Sequence, residues 1–133
     1  MFNQTRDKAD DLFRVLICED DDTQLVILRY FLRIDGVQLV FAENGKQGVK
    51  ALHDLPTFDL VITDLLMPEM NGVDFIRYIR EVLKSRIPII AISSDDNINE
   101  IEAAYRIGID YFLVKPLNPK EIVLVIEKLM HKV

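Results

Sequence analysis

Cysteine is almost absent from this 133-residue chain, basic residues are in the minority, and long apolar runs are missing. The one cysteine, Cys18, lies inside an apolar stretch, so an internal disulfide framework is impossible and the thiol reads as buried and inert. Sixteen Lys and Arg face twenty-two Asp and Glu, giving a net charge of −6 and a pI near 4.9. That balance argues against direct nucleic-acid binding, which needs a basic footprint. No stretch is long and apolar enough to span a bilayer, and the polar N-terminus lacks the apolar region of a signal peptide. Repeats, low-complexity tracts and internal linkers are also missing. Half of the residues are hydrophobic, enough for a packed core without staples. The chain reads as one soluble, cytoplasmic, acidic domain.

Residues 1–13 are polar and charged without a sustained period, a lead-in to a domain over 14–133. From Arg14 onward, short β-branched runs alternate with longer segments of helical period. Strands are expected near 14–19, 37–42, 59–64, 88–93 and 110–115, and helices near 22–34, 44–54, 71–84, 97–107 and 118–131. Five βα units in sequence predict an α/β fold with a parallel sheet covered by helices on both faces. The first, third, fourth and fifth strands are near-continuous aliphatic runs, as strands buried on both faces should be. Val37-Gln38-Leu39-Val40-Phe41 carries a polar residue and suits an edge. Gly36 and Gly108 follow helices, Pro56, Pro68 and Pro88 sit in connections, and Pro119 falls in a first helical turn.

Four of these strands end on polar residues. Arg14-Val15-Leu16-Ile17-Cys18 runs into Glu19-Asp20, and Asp59-Leu60-Val61-Ile62-Thr63 runs into Asp64. Pro88-Ile89-Ile90-Ala91-Ile92 runs into Ser93, and Tyr111-Phe112-Leu113-Val114 into Lys115-Pro116. Open α/β sheets place ligands at the carboxyl ends of their strands, so these groups would converge. Two carboxylates about 4 Å apart repel by about 4 kcal/mol at an effective dielectric near 20, so the acid cluster calls for a proton or a cation. Hard oxygen ligands without nearby His or Cys favour Mg²⁺, with Mn²⁺ able to substitute. Asp64 would then be both metal ligand and nucleophile toward phosphorus. Lys115 suits a phosphoryl oxygen or the bare Asp64 carboxylate, and Ser93 suits another phosphoryl oxygen.

Bland readings compete with these. Strand-end acids are commonly helix caps, and Asp21 or Asp22 reads as one. Ser93 alone divides evenly between a turn hydroxyl and a ligand contact, and His53 and His131 read as isolated and solvent-facing. On the last helix Ile122, Val125, Ile126 and Leu129 share a face, with Leu124 opposite. On the first, Gln24, Ile27, Leu28 and Phe31 would face inward, leaving Leu25, Val26 and Tyr30 to the sides or solvent.

The strings Val15-Leu16-Ile17-Cys18-Glu19-Asp20-Asp21, Asp59 through Asp64 to Leu65-Leu66-Met67-Pro68-Glu69-Met70-Asn71-Gly72, and Phe112-Leu113-Val114-Lys115-Pro116 together resemble a two-component response-regulator receiver domain. The resemblance covers essentially everything after residue 13. It implies a flavodoxin-like (βα)5 fold with strand order 2-1-3-4-5, an order for which this family is itself a standard example. It implies that Asp64 accepts a phosphoryl group from a histidine kinase or phosphotransfer protein, as a signalling phosphoacceptor that catalyses only its own phosphorylation and dephosphorylation. Asp20 would bind Mg²⁺ directly, Glu19 through water, and the Leu66 backbone carbonyl would complete the protein ligands. Lys115 would pair with the phosphoryl group, aimed by a Lys115-Pro116 peptide that is often cis. Ser93 takes the place of the switch hydroxyl and Phe112 that of the switch aromatic. Ser94 stands where alanine is common and adds a donor beside the phosphate, while Leu66 and Asp95 hold positions that tune phosphoryl lifetime. Output would pass through the fourth helix, fifth strand and fifth helix to an effector domain, a partner protein or a second copy, without direct nucleic-acid or membrane contact.

Three other functions share parts of this pattern. A haloacid-dehalogenase-type phosphatase needs a second aspartate two positions after the first, where Leu66 stands. A flavodoxin must cradle phosphate in its first βα loop, which here reads Glu19-Asp20-Asp21-Asp22 and would repel one. A pseudo-receiver, acting as an interaction or dimerisation module, would normally have lost an acid or the lysine.

Overall fold

The computed structural model describes residues 12–55 and 57–131. Most of the polar lead-in, and Pro56, lie outside the described residues. Five strands and five helices alternate: β1 (Phe13–Cys18), α1 (Asp22–Phe31), β2 (Val37–Ala42), α2 (Gly45–Asp54), β3 (Leu60–Asp64), α3 (Gly72–Arg77), β4 (Ile89–Ser93), α4 (Ile98–Ile107), β5 (Tyr111–Val114) and α5 (Pro119–Met130). The strands form one parallel sheet of order β2-β1-β3-β4-β5. This is the flavodoxin-like doubly wound arrangement, with the direction of winding reversed at β1.

The alternation of side chains along each strand divides the core in two. Leu16, Cys18, Val61, Ile89 and Ala91 face one layer and meet Phe75, Ile76 and Ile79 of the α3 region. Val15, Ile17, Leu60, Ile62, Ile90 and Ile92 face the other and meet Leu28 and Leu32 from the α1 region with Ile122 and Ile126 of α5. Each Val, Leu, Ile or Phe side chain among these, fully withdrawn from water, contributes about 1.5–3 kcal/mol. Cys18 belongs to this core, and its burial pushes the thiol far above its ordinary range, which disfavours the reactive thiolate.

Polar latches close the amino ends of the strands. The Arg14 amide donates to Asp59 Oδ2 at 2.9 Å, and its guanidinium reaches Gln38 Oε1 at 2.7 Å and the Thr57 carbonyl at 2.8 Å. Asp110 Oδ2 accepts from the Ile89 amide at 2.8 Å and from Arg80 Nη2 at 3.2 Å. With that end tied down, the carboxyl ends are free to carry the polar groups.

Helix ends follow their capping residues. Asp21, Asn44, Asn71, Asn97 and Asn118 each accept amide hydrogen bonds at the start of α1 to α5. Gly108 closes α4 at φ 113°, a conformation that L side chains rarely adopt.

Four expectations need correction. The segment expected as one helix over 71–84 is α-helical only to Arg77 and continues as a π-helical turn over Tyr78–Val82. Arg80 lies in that turn and donates to the carbonyls of Gly108, Ser85 and Ile87, a tertiary demand that accompanies the local widening. The first helix stops at Phe31 rather than near residue 34, and Phe31 is 48% exposed, while Leu25 and Leu32 pack inward instead. β5 is not buried on both faces as its aliphatic run suggests: at the edge that the expected strand order gives it, it is only four residues long, and Val114 is 40% exposed. On α5, by contrast, Ile122 and Ile126 are buried and Leu124 is 65% exposed, as the helical period requires.

Candidate functional site

The parallel register sets the carboxyl ends of β1, β3, β4 and β5 side by side, with Cys18 opposite Thr63, Asp64 opposite Ile92, and Ser93 opposite Val114. The residues one step beyond these pairs therefore share a single rim. Carboxylate oxygens of Glu19, Asp20 and Asp64 lie within 4.8 Å of one another. Glu19 and Asp64 are buried and Asp20 is exposed at the mouth. Lys115 Nζ reaches in from the end of β5, 2.7 Å from Asp64 Oδ2 and 2.7 Å from Glu19 Oε1. The Lys115–Pro116 peptide is cis.

Asp64 is held from both sides. Its Oδ1 accepts from the Leu66 amide at 2.9 Å, and its Oδ2 accepts from Lys115. Glu19 is not satisfied in the same way. Its Oε1 is paired with the Lys115 ammonium, but among the described residues its buried Oε2 has no partner. A buried carboxylate left in that state is costly. Burial first, then the neighbouring Asp64, pushes Glu19 up from the ordinary 4.5 to about 8, against the opposing pull of Lys115. For Lys115 burial works to lower its value, but hydrogen bonds and attraction from Asp64 and Glu19 prevail and raise it.

This orphaned oxygen is the test of whether a cation fits. Three carboxylates face one ammonium in a cluster a few ångströms across, with hard oxygen donors and no sulfur or imidazole among them. A small hard divalent ion, of which Mg²⁺ is the common case, matches this donor set, and its charge would hold Glu19 ionised.

The remaining residues singled out in the sequence sit around this cluster. Ser93 is buried at the end of β4, where its Oγ accepts from the Asp95 amide at 3.1 Å and keeps its own proton to donate. Ser94 and Asp95 are exposed in the loop that follows, with Asp95 Oδ1 accepting from the Asn97 amide at 2.9 Å. The Leu66 side chain is 68% exposed at the rim. Phe112 is half-buried against the α2–α4 layer of the core. Among the described residues no hydrogen bond joins Ser93, Ser94 or Asp95 to the acids, so the direct cluster is Glu19, Asp20, Asp64 and Lys115.

Sequence reasoning misses two residues that brace the loop after β3. Asn44 Nδ2 donates to Glu69 Oε2 at 2.9 Å. Asn44 carries only the signal of a helix cap, and Glu69 looks like a solvated loop acid, so nothing local links them.

The chain matches the family model described as the response regulator receiver domain over residues 15–127. It is 32% identical over 110 residues to the DNA-binding response regulator MtrA of Mycobacterium tuberculosis (strain H37Rv), which covers 83% of this chain and 47% of MtrA. It is 29% identical over 124 residues to the transcriptional regulatory protein RprY of Bacteroides fragilis, covering 93% of this chain and 52% of RprY. The chain thus spans about half the length of these curated relatives. A putative response regulator from Chloroflexus aurantiacus superposes with a TM-score of 0.81 at 25% identity, covering 91% of this chain and 99% of that one. The signal receiver domain of a histidine kinase from Syntrophus aciditrophicus gives 0.76 at 30% identity, with 89% of each chain covered. Sheet order, the strand-end acids and the family match over nearly the whole domain agree: this chain belongs to the response regulator receiver domain family.

Proposed function

We propose that Asp64 is a phosphoacceptor, loaded from a histidine kinase or phosphotransfer protein in a Mg²⁺-dependent reaction, and that its phosphorylation switches association with an output domain, a partner protein or a second copy. The observation that carries this reading is the juxtaposition of Asp64 with Glu19, Asp20 and Lys115 at the switch point of the sheet.

Glu19, Asp20, Asp64 and the Leu66 carbonyl would hold the ion. When bound, Mg²⁺ supplies charge neutralisation for the acids and for the incoming phosphoryl oxygens. Lys115 and the Leu66 amide orient the Asp64 carboxylate through its two oxygens. One Asp64 oxygen forms the new O–P bond as the P–N bond of the phosphohistidine breaks, and the departing imidazole takes its proton from solvent. Lys115 then transfers its contact from the bare carboxylate to a phosphoryl oxygen, where an ammonium acts as a point charge. Ser93 donates its free hydroxyl proton to another, releasing the Asp95 amide and so moving the β4–α4 loop. Ser94 adds a donor at the rim. Phe112, packing without a hydroxyl, follows into the space that Ser93 vacates. The exposed Leu66 and Asp95 side chains flank the path of attacking water and set how long the acyl phosphate lasts. Phosphorylation moves this equilibrium only through its different contacts in the two states. Residues 14–133 act as the receiver after the lead-in, and the working compartment is the cytoplasm. Among the described residues no helix is long and apolar enough to cross a membrane.

Backbone NMR with Mg²⁺, followed by beryllium trifluoride as a phosphoryl mimic, tests the site. The amides of Leu66, Ser93, Ser94 and Lys115 are expected to shift on the second addition in the wild type and to stay unmoved in Asp64→Asn. Equal shifts in both proteins would place the acceptor elsewhere.

A further inference from the structure

Asn44 is buried at the start of α2, and its side chain serves two partners at once. Oδ1 accepts from the Gln47 amide at 2.9 Å and caps the helix, while Nδ2 donates to Glu69 Oε2 at 2.9 Å. The next residue presses the same way. The Gly45 amide donates to the Met70 carbonyl at 2.9 Å, and a Cβ on Gly45 would fall 2.6 Å from that oxygen. Glu69 itself has φ 63°, a left-handed conformation that a non-glycine residue keeps only when its surroundings hold it there. The loop braced in this way begins at Asp64 and carries Leu66, whose amide holds Asp64 Oδ1.

We infer that Asn44 is a positioning residue: by holding Glu69 it fixes the β3–α3 loop so that the Leu66 backbone stays in place for a divalent cation and for Asp64. The inference rests on the proposed role of the Leu66 carbonyl. Its physical basis is that a backbone ligand can be placed only by what holds the loop, since it has no rotamer of its own to lock.

Asn44→Asp isolates this role. The carboxylate still caps α2, because it accepts from the Gln47 amide as well as the amide oxygen does. It can no longer donate to Glu69, and it sets a like charge against it. An added negative charge near the acid cluster would by itself tighten a cation. A loss of Mg²⁺ affinity therefore runs against simple electrostatics and marks displaced geometry. Titration calorimetry with Mg²⁺ is expected to show binding weaker by about five- to tenfold in Asn44→Asp. Adding Glu69→Gln to that variant restores a donor facing the new carboxylate and returns the net charge to that of the wild type. Affinity is then expected within about twofold of the wild type. Circular dichroism melts of the same samples in EDTA confirm that each variant is folded during the titration. Asn44→Asp binding Mg²⁺ as tightly as the wild type, or a loss that Glu69→Gln does not repair, would overturn the inference while leaving the proposed function intact. A wild-type chain that binds no Mg²⁺ would overturn both.

Discussion

Gly72→Ala should destabilise the protein by about 3 kcal/mol, near the top of the range for forced overpacking, and should impair Asp64 as well. A Cβ built on Gly72 would overlap the Asp64 carbonyl oxygen and would lie 2.7 Å from Leu65 Cα and 2.9 Å from the Asp64 carbonyl carbon. All three are backbone atoms, so no rotamer change relieves the clash. The Gly72 amide also donates to the Leu65 carbonyl at 3.1 Å, which keeps the start of α3 against the end of β3. Relief must come from moving the chain that carries the acceptor. Gly48→Ala offers a comparison: its Cβ would meet Cys18 Sγ and the Phe75 ring at about 2.8 Å, side-chain atoms with some freedom to shift. Urea unfolding is expected to show a large fall in midpoint for Gly72→Ala at unchanged slope, and a smaller fall for Gly48→Ala. A Gly72→Ala protein within about 0.5 kcal/mol of the wild type would mean that the junction of β3 and α3 yields to a methyl group at little cost, against this account.

The second large effect concerns Glu19. An acid at 4.5 in the unfolded chain and about 8 in the folded one binds its proton more tightly when folded. Below the first value both states are protonated and stability is complete. Between the two values the unfolded chain has released a proton that the folded chain retains, so stability falls as pH rises, and the loss is full above about 8. Metal-free protein should therefore melt lower at pH 8 than the trend of its other groups requires. Glu19→Gln, unable to ionise, should lack this decline and melt higher than the wild type there. With Mg²⁺ the order reverses. The wild type gives up the Glu19 proton and gains stability by mass action, whereas the amide offers no charge to the ion. Mg²⁺ affinity is expected to fall by at least about tenfold in Glu19→Gln. Thermal melts across this pH range, with EDTA or Mg²⁺, check both signs. A Glu19→Gln protein with the wild-type pH trend and wild-type Mg²⁺ response would show that Glu19 is an ordinary core acid.

Much of this site is legible without coordinates because it lies at strand ends. A run such as Leu60-Val61-Ile62-Thr63 announces both a buried strand and the place where it stops, so Asp64 is located by the pattern that precedes it. Glu19, Ser93 and Lys115 are found in the same way, and parallel register does the rest. What escapes is set by contacts between elements. The period over residues 71–84 is helical throughout, and no local preference foretells that Arg80 will reach three carbonyls across the amino end of the sheet. Phe31 falls on the inward stripe of an ideal helix, yet α1 ends there and Leu32 takes the core position. β5 has the composition of a strand buried on both faces, and only the order implied by the family resemblance, not its local pattern, puts it at an edge. Asn44 and Glu69 are twenty-five positions apart and meet only through the close approach of the Gly45 and Met70 backbones.

Intact mass spectrometry after incubation with Mg²⁺ and acetyl phosphate, with Asp64→Asn alongside, is the most direct examination of the phosphoacceptor. The O–P bond to acetate breaks as one forms to Asp64, so the wild type should gain one phosphoryl group. That gain should vanish in Asp64→Asn and when EDTA replaces Mg²⁺. A wild-type chain that is folded, binds Mg²⁺ and stays unmodified under phosphodonor would instead favour an interaction module that works without phosphorylation, and a gain retained in Asp64→Asn would remove Asp64 from the chemistry.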